Sequence, residues 1–272
     1  MEKNCKIGIV GLGLIGGSVL KAISKYDFET FVVSHSDSTL EKAKKYTQNV
    51  SLDLDILKPC DVVFVCTPMN KTVEILDGLE NVLSSETIVA DVSSLKGFVC
   101  GKKRHYKFIP THPMAGTEFS GFDSSSGDLF HGAKWVLTPD EEISVVDLHK
   151  LIELIELIGA ETLTVTPQEH DEAVALISHM PMLIAQAIFK TAQNNELALK
   201  LASSGFRDMT RLALSNEEMA EDMLNLNADN IQSAVLKLYA SVGELLGENY
   251  KKQITEIKKC RQEMYQDGKN IL

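Results

Sequence analysis

Lys6-Ile7-Gly8-Ile9-Val10-Gly11-Leu12-Gly13-Leu14-Ile15-Gly16-Gly17-Ser18 decides the fold of this chain. The run before Gly11 is apolar, short, and bounded at once by glycine, which reads as a buried strand. Gly11, Gly13 and Gly16 then form a GxGxxG turn that opens a helical stretch. Gly11 permits the tight turn, Gly13 lets backbone approach a pyrophosphate, and Gly16 allows helix to pack closely on strand. The helix start adds free N–H groups and the positive end of a dipole. Gly11, Gly13, Leu14, Ile15 and Gly16 are therefore the expected cradle of a dinucleotide.

Outward from this loop, short apolar runs alternate with amphipathic ones. Strands are expected at 6–10, 30–33, 61–66, 87–91, 108–111, 134–137 and 162–165, with helices at 16–24, 40–46, 72–79 and 144–158. Such repetition implies a mainly parallel, doubly wound α/β sheet of Rossmann type. Thr166-Pro167-Gln168-Glu169 then reads as a helix start, with a Thr cap, Pro at the first helical position and Glu three residues on. Beyond it the spacing is helical throughout: 173–192, 197–202, 219–226 and 231–246. The expected domains are residues 1–165, binding a dinucleotide, and an all-helical 166–272. Leu183, Ile184, Ala187, Ile188, Val235, Leu238, Tyr239, Val242 and Leu245 make the helical half apolar on several faces. Those faces pack on the first domain or form a dimer interface.

The chain has 272 residues, 44% of them apolar and 24% charged, as in an ordinary globular enzyme. A net charge of -11 argues against nucleic acid or an anionic membrane as partner. Cys5, Cys60, Cys66, Cys100 and Cys260 are scattered without a CxxC, which suits reduced thiols better than disulfides or a metal site. The start shows no signal peptide, and no window approaches 18 uninterrupted apolar residues. A cytoplasmic protein that binds no metal is expected.

The second strand bears on the choice of dinucleotide. NAD enzymes usually end it with an acid for the ribose diol. Here Val33 is followed by Ser34-His35-Ser36, three residues able to donate to a 2′-phosphate, with no carboxylate at the strand end. This favours NADP, although the expected arginine is missing; the alternative is that Asp37 folds back onto the ribose of NAD. Thr67 and Pro68, after the strand at 61–66, should face the cofactor.

One further stretch carries chemistry: Thr111-His112-Pro113-Met114-Ala115-Gly116-Thr117-Glu118, a histidine at the exit of an apolar run. A neutral imidazole is suited to take a proton near pH 7, and a nicotinamide takes a hydride, so oxidation of an alcohol is implied. Five motifs taken together resemble the prephenate/arogenate dehydrogenases of tyrosine biosynthesis. They are Gly11 to Ser18, Asp91-Val92-Ser93-Ser94-Leu95-Lys96, His112 to Glu118, Ser178-His179-Met180-Pro181, and Gly205-Phe206-Arg207-Asp208-Met209-Thr210-Arg211. They span nearly the whole chain in order.

The resemblance implies oxidative decarboxylation of a cyclohexadienol: a base takes the hydroxyl proton, hydride leaves the same carbon, and carbon dioxide is lost as the ring becomes aromatic. His112 matches the base. Ser94 matches the serine that hydrogen-bonds the substrate hydroxyl and helps hold the histidine, or else caps a turn with Ser93. Arg211 matches the arginine that binds a substrate carboxylate, and Asp208, three residues earlier, would orient it. Thr117, Glu118 and His179 are expected around the pocket. Many family members carry a second histidine where this chain has Met182, which leaves the partner of the substrate side chain open and is compatible with arogenate.

Two alternatives remain. A β-hydroxyacid dehydrogenase would use Lys190 and Asn194, but these lie far from the helix start, lack the preceding glycine, and leave His112 unexplained. A nucleotide-sensing protein would keep the fold without needing His112, Ser94 and Arg211 together.

Overall fold

The structure, a computed structural model, describes residues 5–117 and 119–266. They divide after His170 into two compact units. The first contains strands β1 (Lys6–Val10), β2 (Glu29–Val33), β3 (Asn49–Ser51), β4 (Val62–Val65), β5 (Ile88–Asp91) and β6 (Lys107–Phe108). They form one parallel sheet in the order β3-β2-β1-β4-β5-β6. β1, β2, β4 and β5 are almost wholly buried, which is why they read as continuous apolar runs rather than alternating ones. The crossover from β3 to β4 passes over β1, so a switch point opens beyond the carboxyl ends of β1 and β4. That is where open α/β sheets bind ligands.

Helices α1 (Leu14–Ile23), α2 (Asp37–Ala43) and α3 (Met69–Leu79) follow β1, β2 and β4. Ile7, Ile9, Val19, Leu20, Ile23 and Phe64 belong to one core cluster, and Val63, Val65, Leu76 and Val89 to a second.

The expected strand at 108–111 is a point of difference. The chain leaves the sheet after Ile109, whose N–H donates to Val89 O. Pro110 has no N–H with which to continue the ladder. Thr111–Pro113 becomes β7 of a separate three-stranded sheet with β8 (Lys134–Leu137), antiparallel to it, and β9 (Glu161–Thr164), parallel to β8. Helix α4 (Val145–Leu157) covers it with buried Leu151, Leu154 and Ile155. Strand β3 has no sequence signal, since its three residues, Asn-Val-Ser, carry no apolar run.

The capping box at Thr166 forms as read. Glu169 N donates to Thr166 Oγ1 at 3.2 Å and Thr166 N donates back to Glu169 Oε2 at 2.9 Å. It starts α5 (Pro167–Val174). The helix expected over 173–192 is interrupted: Ala175–His179 is a π turn before α6 (Met180–Ala192). The run Pro167–Ala192 has the length and apolarity to cross a bilayer. Within the helical unit, however, Ala175, Met180 and Leu183 pack with Ile231 and Ala234.

The second unit continues through α7 (Glu196–Leu201), α8 (Ser204–Thr210), α9 (Glu217–Leu226), α10 (Ala228–Leu245) and α11 (Tyr250–Gln266). Its described residues contain no strand. Helix α11 was not among the expected elements: its apolar residues, Tyr250, Ile254, Ile257 and Met264, recur at helical spacing but stand among many lysines, glutamates and glutamines.

Candidate active site

The glycine loop has the geometry its motif demands. Gly11 sits at φ +89°, and a Cβ there would stand 2.7 Å from Cys66 O. A Cβ on Gly16 would lie 1.9 Å from Gly11 O, so only glycine lets α1 start this close to the loop. At Gly13 no protein atom lies within 4 Å of a Cβ position. Protein packing therefore does not require glycine there, whereas backbone approach by a pyrophosphate does. Gly13 caps α1 without a side-chain bond, which leaves the first-turn N–H groups of Leu14 and Ile15 available to an anion. These residues fit a dinucleotide.

The end of β2 is more committed than its composition suggests. Ser34 is buried and its Oγ accepts from Ser36 N, while Ser36 Oγ accepts from Thr39 N as the cap of α2. His35 is exposed, and so is Asp37, the first residue of α2. At the end of β4, half-buried Thr67 and exposed Pro68 lead into α3. Thr72 Oγ1 lies 3.3 Å from Thr67 Oγ1 and accepts from Ser93 Oγ at 3.2 Å. A hydroxyl chain thus joins the loop after β4 to the turn after β5. Cys66 directly follows the same strand; burial pushes its thiol up, and nearby Asp91 adds to this.

Asp91, the last residue of β5, organises the rest. Its Oδ2 accepts from Ser93 N at 2.9 Å and from Lys96 Nζ at 2.6 Å, and its Oδ1 accepts from Thr111 N at 3.0 Å. Lys96 Nζ also donates to Thr111 O, and Trp135 Nε1 donates to Thr111 Oγ1 at 2.8 Å. Asp91, Lys96, Thr111 and Trp135 are all fully buried. One buried ion pair therefore holds both backbone polar groups of Thr111, the residue before His112, and the turn that carries Ser94.

His112 is half-buried in β7, opposite Val136. Its Nδ1 lies 2.9 Å from Nε2 of His170, a buried residue of α5. Nδ1 of His112 is thus engaged by a second histidine, while Ser94 sits half-buried in the turn after β5. Thr117 is exposed, and its Oγ1 accepts from Phe119 N at 3.2 Å. Glu118 lies outside the described residues.

In the second unit, His179 is buried at the end of the π turn. Asn227 Nδ2 donates to Asp171 O at 2.9 Å and lies 3.1 Å from His179 Nδ1. The carbonyl can only accept, which fixes the amide orientation, so Nδ1 of His179 accepts and Nε2 carries the hydrogen. Met182 is buried in α6. Asp208 does not pair with Arg211 as expected: its Oδ1 lies 3.5 Å from Arg207 Nε. Helix α8 ends at Thr210, and Arg211 begins a 3-10 turn, which breaks the assumed i,i+3 helical spacing. Arg211 is exposed. Lys190 is exposed too, and Asn194 falls beyond the end of α6, so the two share no helical face.

Comparison with known proteins assigns the family. Residues 20–164 match the family described as prephenate dehydrogenase, nucleotide-binding domain, and residues 166–263 match prephenate dehydrogenase, dimerization domain. The chain belongs to the prephenate dehydrogenase family. It is 30% identical to prephenate dehydrogenase of Bacillus subtilis over 82% of this chain and 64% of that one, so it spans just under two thirds of that relative. It is 26% identical to cyclohexadienyl dehydrogenase of Zymomonas mobilis, over 94% of each. Among solved structures, arogenate dehydrogenase of Synechocystis shares 32% identity with a TM-score of 0.81, covering 96% of this chain and 98% of that one. Prephenate dehydrogenase of Aquifex aeolicus, in complex with hydroxyphenyl propionate and NAD+, shares 27% identity with a TM-score of 0.85 over the same shares.

The match to the prephenate dehydrogenase nucleotide-binding domain begins after the glycine loop, so the loop is assigned by its own geometry. Sequence reading of this family member missed His170, Asn227 and the clamping role of Asp91 and Lys96. His170 had a signal: it directly follows the capping-box glutamate, in the first turn of the helix that begins the second family domain. Nothing in the spacing of 58 residues tied it to His112.

Proposed function

We propose that this chain is an NAD(P)-dependent oxidoreductase that converts prephenate or arogenate to 4-hydroxyphenylpyruvate or tyrosine by oxidative decarboxylation. One observation carries the reading most: a half-buried His112 whose Nδ1 is engaged by His170, on a strand clamped to the end of β5 in a dinucleotide-binding unit. A bound nicotinamide accepts the hydride. His112 takes the 4-hydroxyl proton as that hydride leaves. The bond from ring to carboxylate breaks, and its electron pair restores aromaticity and reaches the oxygen, to which His112 returns the proton. Aromatisation provides the driving force, so the residues have to orient the ring and move one proton.

Ser94 hydrogen-bonds the substrate hydroxyl. Arg211 binds a substrate carboxylate, and Arg211→Ala then raises KM more than it lowers kcat. Thr117, Glu118, Asp208, His179 and Met182 belong to the substrate-binding half of the reaction, with residues 166–272 serving both substrate binding and homodimer formation. The dimer reading is supported by the family's dimerization domain and by exposed Leu214, Tyr239 and Leu246. The absence of a carboxylate at the end of β2, with His35 exposed beside the Ser36 cap, supports NADP over NAD. The protein is cytoplasmic in this reading.

The test is initial-rate spectrophotometry with prephenate and arogenate, each against NAD and NADP. The reading expects reduced cofactor with at least one pair, a higher kcat/KM for arogenate where Met182 replaces histidine, and a higher kcat/KM for NADP. Absence of turnover in all four combinations overturns the assignment in favour of a nucleotide sensor. Preference for NAD assigns the ribose to Asp37.

A further inference from the structure

We propose that His170 is a positioning residue that fixes which nitrogen of His112 carries the hydrogen. This rests on the reading of His112 as the base. The two rings meet edge to face, with centroids 5.1 Å apart and planes at 73°, and His112 Nδ1 lies 2.9 Å from His170 Nε2. At that distance one hydrogen sits between the nitrogens, because two lone pairs or two N–H groups would repel. If His170 supplies it, His112 becomes the Nε2–H tautomer and its outer nitrogen cannot take a proton. If His112 supplies it, Nδ1–H donates to His170, and Nε2 keeps the lone pair that base catalysis needs.

The contact then serves the second half of the step. Once His112 has accepted the substrate proton, its Nδ1–H bond to His170 becomes charge-assisted and stronger. A neutral imidazole stabilises that cation less than a carboxylate would, which keeps the proton available for return to the phenolic oxygen.

Both rings are held from behind. His170 is buried in the first turn of α5, its N–H donates to Thr166 O, and the Thr166–Glu169 capping box fixes that turn. Thr111, beside His112, is clamped by Asp91 and Lys96. Charged groups near the dyad in this unit include that mutually neutralising ion pair and Glu169, which is committed to Thr166. Asp171 follows His170 in the chain, and the residue opposite His112 on β8 is apolar Val136.

Imidazole 15N NMR of the protein, combined with pH-dependent kinetics, tests this. The parent should show His112 as the Nδ1–H tautomer. His170→Leu should lose that preference, lower kcat about 10–100-fold with little change in KM, and move the acid limb of kcat/KM to lower pH, because the imidazolium loses its acceptor. His170→Gln, whose Oε1 can accept from Nδ1–H, should restore the tautomer and most of the rate, which a merely structural role for His170 would not give. A folded His170→Leu whose tautomer and acid limb do not move overturns the proposal while leaving His112 as the base, whereas an Nε2–H His112 in the parent overturns the proposal and removes the outer nitrogen of His112 as the proton acceptor. Turnover retained by His112→Asn overturns the base reading itself, and the proposal with it.

Discussion

The two units solve the problem of stability differently. The nucleotide-binding unit closes its own core: Trp135, Phe64, Phe130, Ile7 and Ile9 are fully buried, and so is an ion pair. Among its described residues the helical unit buries mostly small or flexible side chains. One core cluster centres on Ala175, Ile231 and Ala234, with Met182, Ala185 and Met223 also buried, while Leu214, Leu246 and Tyr239 are 88%, 83% and 78% exposed. The same contrast marks the candidate site residues. His112 is held through a buried frame of hydrogen bonds, whereas Arg211 and Asp208 stand in solvent on a short helix and its trailing turn. A rigid half fits proton and hydride transfer, which need alignment within tenths of an ångström. A half whose apolar faces await cover fits a unit completed by a second copy of the chain.

The sharpest break of this comparison is at His112. If the rigid half carries the chemistry, His112→Asn lowers kcat by roughly two to four orders of magnitude with the fold intact. Steady-state rates together with circular dichroism check this. A variant within tenfold of the parent would move the chemistry elsewhere.

Next in size is the clamp. Lys96→Met leaves Asp91 buried without its cation, and breaking a buried pair from one side costs about 3–5 kcal/mol. Calorimetry should show a large fall in Tm. Loss of the cation from Thr111 O should also lower kcat in whatever fraction stays folded. A Tm within a degree or two of the parent would mean that the frame behind His112 is not what makes this unit rigid.

How much of this was legible in the sequence follows the same division. The loop from Gly11 to Gly16, the strands at 6–10 and 134–137, and the capping box at Thr166 are local signals, and each forms where it was read. What was not legible depended on long-range pairing or on backbone breaks. Pro110 ends the sheet where the apolar run appeared to continue, and the π turn at Ala175–His179 interrupts a stretch of uniform helical spacing. Lys96 read only as part of a motif, because nothing local marks it as a buried cation reaching the residue before His112. Arg211 lost its supposed partner, since α8 stops at Thr210 and Asp208 turns to Arg207.

The open half is probed by charge. Glutamates replacing Tyr239 and Leu246 together should shift the protein towards monomer in sedimentation velocity, because each places a carboxylate on an apolar, exposed face. The nucleotide-binding unit, with its own core, should keep its spectroscopic signature. An unchanged sedimentation coefficient would show that these side chains are not the covered surface.

The smallest effect tests α5, the helix that carries His170 into the site. The Glu169 carboxyl is held below its usual range by the Thr166 backbone N–H and then by the Thr166 hydroxyl. A depressed folded value means that this group adds stability above its unfolded pKa, about 4.3, and loses it as pH falls through the folded value. Glu169→Ala should therefore lower Tm slightly at pH 7, and the gap from the parent should close as the pH drops below about 4. Because the cap fixes the first turn of α5, the same variant should loosen His170 against His112 and lower kcat at neutral pH by less than His170→Leu does. A Tm gap that persists unchanged at pH 3 would show that the glutamate acts by packing rather than as a charged cap, and would separate the order of α5 from the protonation of Glu169.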